Sequence, residues 1–410
     1  MSLNKTRKKL VVIGNGMAGI KTVEELLAAA PDDYEITVFG NEPYGNYNRI
    51  LLSSVLSGEK SVTDIFINNR QWYEDNQITL HASQDKSVER IDRVNRLVFA
   101  KDGTSAEYDR LLIATGSKPI FADIPGNDLK GVVSFRDIGD VDIMLTYAES
   151  HRHAVVLGGG LLGLEAASGL AARGMNVTVI HNKSYLLNRQ LDKQASQMLQ
   201  AELEQRGIHF KLAVEIKCMA GDDQHQLTHV VLQDAEKISC DLFVMAIGVK
   251  PNIALAQQAG LYCERGIVVN DTLQTYDPSI YAVGECIQHR KQTFGLVAPV
   301  FEQAKVCATH LSAHGIGQYL TLPTATKLKI TGINVFSSGD FNDNTDNDFI
   351  RFCDPELGIY KKLMITENRI QGMVLYGDTT DSAWYQDLLE QHTDISVYRN
   401  NLVFGKAYAV

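Results

Sequence analysis

The sequence predicts an α/β protein with two dinucleotide-binding domains, each of three layers, and a small C-terminal α+β domain. Three observations lead to this prediction. The run Lys9–Gly19 (KLVVIGNGMAG) joins an apolar strand to G-x-G-x-x-G, and the helical pattern of Ile20–Ala30 follows at once. The run Ala154–Gly163 (AVVLGGGLLG) repeats this order before a second helical pattern. After Pro323 the sequence changes to alternating apolar and polar residues, which is typical of strands.

Each glycine of the first motif has a physical role in a nucleotide-binding turn. Gly14 permits a tight bend, Gly16 lets the backbone approach a pyrophosphate, and Gly19 allows close packing of helix and strand. The helix that follows offers N–H groups and a positive dipole end to the phosphates. A single motif also occurs in turns that bind nothing, but two copies in the same context favour two nucleotide sites.

The segment after the first helix supplies candidates for ribose and phosphate binding. Tyr34–Phe39 reads as the second strand, and Glu42 follows it at about the distance expected of the acid that binds ribose hydroxyls. Glu42 is alternatively a solvated loop acid. Arg49 is a candidate for a bidentate phosphate contact, or else a surface arginine.

Small residues end the next buried strand of the first domain. Residues 78–99 contain short alternating segments, and a Lys-Asp-Gly-Thr turn follows them, which indicates a hairpin. The strand Tyr108–Ala114 then leads into Thr115 and Gly116. Small side chains at the carboxyl end of a strand let the backbone lie against a cofactor.

The second motif leaves the coenzyme open between NADH and NADPH. Its second strand, Asn176–Ile180, ends at His181, with neither an acid nor an arginine cluster. Gly163 at the third glycine position favours NADH, whereas Lys183 and Arg189 keep NADPH open.

Later segments complete the predicted domains. We expect one strand over His209–Lys217, a buried strand over Cys240–Ile247, and a strand over Ser279–Val283 that ends at Glu285. Glu285 could hold a ribityl hydroxyl or cap a helix, and Pro299–His314 has helical spacing. The predicted boundaries are 1–118 and 248–324 for the first domain, 119–247 for the second and 325–410 for the third.

Composition excludes several kinds of partner. The net charge is −10, which argues against nucleic acid or an anionic membrane, and the basic cluster Lys5–Lys9 reads as a solvated tail. No charge-free apolar stretch approaches the roughly 20 residues of a membrane helix. The six cysteines stand singly, as expected of reduced thiols in the cytoplasm, and no zinc or iron–sulfur spacing occurs.

Two minor features have plain interpretations. The histidine pairs 151/153 and 225/229 lack a supporting cysteine or acidic cluster, so we interpret them as loop histidines and predict no metal site. Tyr376, Trp384 and Tyr385 could line an electron-exit surface, but packing of the last helix is the favoured interpretation.

Together the motifs GNGMAG, ATGSKP, GGGLLGLE, AIGVKPN and IYAVGE resemble the pyridine nucleotide–disulfide reductases, which have a glutathione-reductase-like fold. Within that family, FGNEPYGNYNRILLSSVLSGE, NRQLD, FGLVAPVFEQAK, ATKLKITGINVFSSGD and LYGDTTDSAWYQDLL are similar to the FAD/NAD(P)H portion of nitrite reductase large subunits. They are also similar to assimilatory nitrate reductase electron-transfer subunits. NADH–rubredoxin and ferredoxin reductases are the next relatives.

The resemblance implies two sets of binding residues, with Glu165 also the candidate catalytic residue. For FAD they are Gly14, Asn15, Gly16, Met17, Ala18, Gly19, Asn41, Glu42, Asn48, Arg49, Ser54, Val88, Ala114, Thr115, Gly116, Gly284, Glu285, Val297 and Ala298. For NAD(P) they are Gly158, Gly160, Leu161, Leu162, Gly163, Glu165, His181, Ile247 and Gly248.

Three departures from the family pattern matter. Glu285 replaces the usual Asp, and Ser54 stands where many relatives carry a lysine near the flavin, so Glu165 lacks its usual ionic partner. The third departure is the redox-active cysteine, which is missing from the loop Gly45–Ser54 and from the first helix. A dithiol relay at these positions is therefore excluded, and electrons should leave from the flavin itself.

The resemblance implies an FAD-dependent NAD(P)H oxidoreductase that passes electrons to an iron–sulfur or sirohaem acceptor in nitrite or nitrate assimilation. The alternatives are a rubredoxin or ferredoxin reductase, an NADH oxidase, and a flavin-bound redox sensor. A homodimer stays open. In the nitrite reductases an iron–sulfur segment and a sirohaem domain follow, so this chain is either a stand-alone subunit or part of a longer protein.

Overall fold

A computed structural model describes residues 7–313, 317–321, 325–330, 332–342 and 348–409. The Lys5 end of the basic cluster, and His314 at the end of the expected late helix, lie outside these residues. The described chain divides into two compact units. The first contains residues 60–118 and 249–322 with the N-terminal segment up to 52, and the second contains 53–59, 119–248 and the segment from 323 onward.

The helices and strands have the following bounds. The helices are α1 (Met17–Ala29), α2 (Leu52–Ser57), α3 (Arg70–Asp75), α4 (Ile138–Ser150), α5 (Leu161–Ala172), α6 (Lys193–Gln205), α7 (Ala254–Gln258), α8 (Val297–Leu311) and α9 (Ser382–Glu390). The strands up to the second motif are β1 (Lys8–Ile13), β2 (Tyr34–Gly40), β3 (Asn46–Tyr47), β4 (Phe66–Asn68), β5 (Thr79–Ala82), β6 (Val88–Asp92), β7 (Leu97–Ala100), β8 (Ser105–Glu107), β9 (Arg110–Ile113), β10 (Ser117–Pro119), β11 (Val132–Ser134) and β12 (His153–Leu157).

The remaining strands are β13 (Asn176–His181), β14 (Ile208–Leu212), β15 (Ile216–Gly221), β16 (Leu227–Leu232), β17 (Lys237–Ser239), β18 (Leu242–Met245), β19 (Val249–Pro251), β20 (Ile267–Val269), β21 (Ile280–Ala282), β22 (Ile287–His289), β23 (Gln292–Thr293), β24 (Thr326–Ile330), β25 (Ile333–Gly339), β26 (Asp348–Asp354), β27 (Ile359–Thr366) and β28 (Arg369–Tyr376).

The first unit is built on a parallel sheet of five strands in the order β21-β9-β1-β2-β5. Leu10–Ile13 of β1 are buried, as expected of a central parallel strand covered on both faces. A three-stranded antiparallel sheet, β6-β7-β8, is inserted before β9, and α1 packs against α8. The expected hairpin and the two strands that flank the first glycine motif are thus confirmed.

The second unit contains a sheet with the same plan. Its parallel strands run in the order β11-β18-β12-β13-β14, and the antiparallel insertion β15-β16-β17 precedes β18. Strand β12 occupies the place of β1, and α5 follows β12 as α1 follows β1. The α/β class and the repeated dinucleotide-binding plan that the sequence predicts are confirmed.

One expected strand is wrong, because His209–Lys217 is divided between two sheets. Strand β14 ends at Leu212 as the edge of the parallel sheet, and β15 begins at Ile216 in the antiparallel sheet. Ala213 between them has a φ of +55°, a left-handed conformation that interrupts an extended strand.

A five-stranded antiparallel sheet, in the order β24-β25-β28-β27-β26, forms the C-terminal part of the second unit. Glu367 and Asn368 both have positive φ and join β27 to β28 through a two-residue turn. Helix α9 packs its buried Tyr385 into the core of this sheet, with Leu363 and Leu375. The α+β arrangement, the hairpin turn and the packing role of Tyr385 are confirmed.

A buried ion pair joins the start of α6 to this C-terminal sheet. Asp192 caps α6 by accepting a hydrogen bond from the N–H of Ala195 (3.0 Å). Its other oxygen accepts from the hydroxyl of Tyr360 and lies 3.4 Å from Nζ of Lys362, whose side chain is 3% exposed. Asp192 therefore satisfies both a helix terminus and a buried cation.

We expect Asp192→Ala to lower the free energy of unfolding by about 3 kcal/mol, because it leaves Lys362 buried without this carboxylate. Urea denaturation measures the change. The control is Glu202→Ala, which removes a half-exposed pair with Arg206 in the same helix and should cost less than about 1 kcal/mol. Equal losses in the two variants would contradict this assignment.

Among the described residues, no helix combines the length and the apolar character that crossing a membrane requires.

Candidate active site

The first glycine turn leaves no room for side chains at its bend and open space at its tip. Gly14 has a φ of +120°, and a Cβ there would lie 2.1 Å from the carbonyl oxygen of Ala114 at the end of β9. A Cβ on Gly19 would lie 2.5 Å from the oxygen of Gly14. At Gly16 a Cβ would meet nothing within 4 Å. The turn is thus closely packed at Gly14 and Gly19 and open at Gly16.

The open tip coincides with the beginning of α1. Gly16 caps the helix without a side chain, and no acid stands in its first turn. The first intrahelical bond runs from the N–H of Ile20 to the oxygen of Gly16 (3.1 Å), so the N–H groups of Met17, Ala18 and Gly19 are the ones with no partner inside the helix. Such a terminus attracts an anion, and the open space at Gly16 leaves these N–H groups accessible to one.

The structure brings Glu42 and Arg49 together. The two side chains form an ion pair, and Glu42 also accepts a hydrogen bond from the hydroxyl of Tyr47 (2.6 Å). The guanidinium of Arg49 lies over the Tyr47 ring, 4.9 Å from its centroid, and Asn48 caps the short helical turn that carries Arg49. The carboxylate and the guanidinium are therefore held beside the exposed Asn41, just after β2.

A second polar group assembles at the carboxyl ends of β9 and β21. Ser117 donates a hydrogen bond to Glu285 (2.8 Å), and Thr115 donates to the oxygen of Asn252 (2.7 Å). The N–H of Asn252 in turn donates to the oxygen of Gly116 (2.9 Å). These bonds fix Glu285 and the Ala114–Gly116 segment within one polar network.

The turn that carries Glu285 also touches the first helix. A Cβ on Gly284 would lie 2.8 Å from Cβ of Ala18. The N–H of Gly284 donates to the side chain of Gln303 in α8 (2.8 Å), and that helix begins with Val297 and Ala298. Glu285 is therefore held next to the start of α1, so that one cofactor could meet both.

Two expected FAD residues are placed differently from this group. Val88 begins β6 and packs against the hydrophobic core of the first unit. Ser54 lies in α2, within a segment of the second unit, where its hydroxyl lies 3.4 Å from the carboxylate of Glu59.

The glycine turn of the second unit has the same geometry as the first. Gly158 has a φ of +125°, and a Cβ there would lie 2.4 Å from the oxygen of Ala246. A Cβ on Gly163 would lie 1.9 Å from the oxygen of Gly158, whereas at Gly160 it would meet nothing within 4 Å. Helix α5 begins at Leu161 and Leu162, and Ile247 and Gly248 follow β18.

The agreement between the two turns extends to their torsion angles. Gly16 has φ −89° and ψ −177°, and Gly160 has φ −88° and ψ −175°. Both caps are extended and lack a capping side chain. The second turn is therefore equally suited to the pyrophosphate of a nucleotide.

His181 lies at the end of β13, directly against the second turn. A Cβ on Gly159 would lie 2.8 Å from Cδ2 of His181. Burial lowers the pKa of His181, and its Nε2 is buried without a hydrogen-bond partner among the described residues. The ring is therefore neutral at neutral pH.

Glu165 is half-buried near the start of α5, and burial raises its pKa to about 7. Because the folded state holds this proton at a pH where the unfolded chain releases it, the stability due to Glu165 falls as pH rises from about 5 to about 7.

We expect Glu165→Gln to remove this decline, which should amount to about 1–2 kcal/mol in the wild type, reduced by partial exposure of the side chain. Urea unfolding at several pH values measures the slope. Glu149→Gln, an exposed position in α4, is the matched control and should keep the wild-type slope. An unchanged slope in Glu165→Gln would show that this carboxyl is not the titrating group.

The cysteine beside Glu285 is not poised for redox chemistry. The thiol of Cys286 is fully buried and donates to the oxygen of Val283 (3.2 Å). Burial raises its pKa to about 11, so it carries no thiolate at neutral pH. The six cysteines are all free. Among the described residues, no three potential metal ligands come together.

Comparison with known proteins identifies the family. Residues 8–309 match the model of the pyridine nucleotide-disulphide oxidoreductases. The chain belongs to this family. The family implies binding of FAD and of NAD(P)H. Residues 324–393 match the C-terminal domain of rubredoxin NAD⁺ reductases.

Several curated proteins and solved structures are similar to the chain. A nitrite reductase [NAD(P)H] of Bacillus subtilis is 45% identical, over 95% of this chain and 48% of its own length. An assimilatory nitrate reductase electron transfer subunit of the same organism is 42% identical, over 97% of this chain and 51% of its own length. The NADH:rubredoxin oxidoreductase of Clostridium acetobutylicum is 26% identical, with a TM-score of 0.79 over 95% of this chain and 97% of that one. The chain thus spans about half the length of these two Bacillus subtilis relatives.

Some functional contacts had only a weak signal in the sequence. Ser117 and Asn252 stand inside the family motifs ATGSKP and AIGVKPN, so their positions could have been singled out. The pairing of Ser117 with Glu285 could not, because it depends on how two distant segments meet.

Proposed function

We propose that the chain takes a hydride from NADH onto FAD and passes electrons to an iron–sulfur or sirohaem centre of a partner protein or domain, in nitrite or nitrate assimilation. The observation that carries the proposal is the pair of matched glycine turns, one in each unit, with open space at Gly16 and at Gly160. The names of the two Bacillus subtilis relatives support the choice of acceptor.

The chain's own residues would bind FAD and the coenzyme and orient them. The N–H groups at the start of α1 would hold the FAD pyrophosphate, Glu42 the ribose hydroxyls, and Glu285 the ribityl chain. The start of α5 would hold the pyrophosphate of the coenzyme. Bound FAD supplies a ring that accepts a hydride and gives up electrons singly. The protein supplies position and exclusion of water.

NADH is the coenzyme that we propose, and His181 supports this choice. A neutral imidazole at the end of β13 can hydrogen-bond a ribose hydroxyl, but it lacks the charge that would favour a 2′-phosphate. Comparing kcat/KM for NADH and NADPH tests the preference. A higher value for NADPH would contradict it.

The acceptor is tested with the holoprotein under anaerobic conditions. We expect NADH to bleach the flavin absorbance, and a sirohaem or iron–sulfur protein of nitrite reduction to restore it faster than rubredoxin, ferredoxin or oxygen does. A flavin that NADH fails to bleach would overturn the hydride step, and fastest reoxidation by one of the other acceptors would overturn the proposed partner.

A rubredoxin or ferredoxin reductase is the second candidate function. The match of residues 324–393 to the C-terminal domain of rubredoxin NAD⁺ reductases favours it. The same comparison of acceptors decides between the two functions. In either case we propose a cytoplasmic location, where the six free cysteines would stay reduced.

A further inference from the structure

A buried tyrosine forms a hydrogen bond with the first glycine turn. Tyr73 of α3 is 1% exposed, and its hydroxyl donates a hydrogen bond to Oδ1 of Asn15 (2.6 Å). The same hydroxyl accepts a hydrogen bond from the N–H of Asn46 (3.2 Å). Asn15 stands between Gly14 and Gly16, so Tyr73 acts directly on the turn that would hold the FAD pyrophosphate.

The other end of the Asn15 amide holds the loop that follows Glu42. Its Nδ2 donates to the carbonyl oxygen of Tyr44 (3.0 Å). That oxygen can only accept, so Nδ2 must face it and Oδ1 must face Tyr73, which must donate. The network therefore has one arrangement of protons, in which each of these groups has a partner of the correct type.

Gly40, which ends β2, has no side chain and so leaves space for the side chain of Asn15. A Cβ on Gly40 would lie 2.8 Å from Cβ of Asn15. Asn15 thus touches β2, the Tyr44 loop and α3 at once. Burial raises the pKa of Tyr73, so its hydroxyl keeps its proton at neutral pH and can donate it.

The bonds continue from Asn46 to the first helix. Nδ2 of Asn46 donates to Asn68 (3.2 Å), and Nδ2 of Asn68 donates to the carboxylate of Glu24 in α1 (3.1 Å). The phosphate-binding helix and the ribose loop are therefore tied to the same buried chain of side chains.

We propose that Tyr73 is a positioning residue for FAD, which through Asn15 fixes the distance between the phosphate-binding turn and the loop that carries Glu42. Both must be in place for one ligand to meet them together, and a site ordered in advance binds more tightly because less order is lost on binding. The proposal rests on the proposed binding of FAD by the first unit.

The test is Tyr73→Phe, which removes the hydroxyl and keeps the ring. FAD release from the holoprotein on dilution, followed by flavin fluorescence, gives the dissociation constant. We expect it to rise about tenfold, the equivalent of one hydrogen bond, with kcat at saturating FAD within about twofold of the wild type.

Tyr34→Phe is the matched control. The Tyr34 hydroxyl is also buried and donates to the oxygen of Leu311 (2.9 Å), but Tyr34 begins β2, at the end of the sheet away from the glycine turn. Both variants lose one buried donor and should lose similar thermal stability. Only Tyr73→Phe should weaken FAD binding, and equal effects of the two variants on FAD would overturn the proposal.

Asn15→Ala and the double variant, which carries both Tyr73→Phe and Asn15→Ala, complete a double-mutant cycle. We expect Asn15→Ala to weaken FAD binding about tenfold, and the double variant to be no weaker than either single one. Additive losses would overturn the proposal. If Tyr73→Phe failed to fold, FAD binding by Asn15→Ala at the wild-type level would still overturn it. A wild-type chain without FAD would instead refute the function on which the inference rests.

Discussion

The Gly16→Ala variant should fold as the wild type does and fail to retain FAD. The torsion angles of Gly16 are open to alanine, and a Cβ there meets no protein atom within 4 Å. The added methyl group would occupy the space that the pyrophosphate needs. We expect FAD binding to weaken at least about 100-fold, which corresponds to roughly 2.8 kcal/mol.

The stability of Gly16→Ala should change by less than about 1 kcal/mol. Alanine is a poorer cap than glycine, but it also restricts the unfolded chain, and the two effects are of opposite sign. Flavin content and thermal unfolding of the flavin-free protein measure the two quantities separately. Full flavin content in Gly16→Ala would contradict the placement of the pyrophosphate at this turn.

The Gly160→Ala variant should show the reciprocal result. Gly160 has nearly the same torsion angles as Gly16 and the same open space, in the turn of the second unit. We expect normal flavin content and a KM for NADH raised by at least about tenfold, because the methyl group would displace the coenzyme pyrophosphate. Steady-state kinetics with a dye acceptor give the KM.

Each glycine variant serves as the control for the other. A general loss of structure would affect flavin content in both, whereas the assignment of one nucleotide to each turn requires that only Gly16→Ala lose FAD. If Gly160→Ala lost FAD and kept its KM for NADH, the two assignments would have to be exchanged.

The sequence was sufficient for the features that depend on local spacing. The glycines of each motif stand at fixed offsets between a strand and a helix, so Gly14 and Gly158 are recognisable from spacing alone, and their repetition predicted the second unit. The prediction of a single strand over His209–Lys217 was wrong because its residues are all compatible with a strand, so the sequence shows no break. The break at Ala213 follows from the sheets that the two halves join.

Contacts between distant segments could not be predicted in the same way. Tyr73 is an ordinary core tyrosine by its pattern, and its role depends on a hydroxyl that reaches Asn15 across 58 positions of the chain. The pairing of Asp192 with Lys362 depends likewise on how the C-terminal sheet packs against α6. Such partners are determined by the tertiary structure and produce no periodic pattern in the sequence.

The order of the strands has a consequence for synthesis on the ribosome. The parallel sheet of the second unit uses strands that all lie between Val132 and Met245, whereas the sheet of the first unit needs β21, which is made later. Domains generally fold as units while the chain emerges. The parallel sheet encoded second can therefore be completed first, and the N-terminal sheet must wait with one edge open until β21 leaves the exit tunnel.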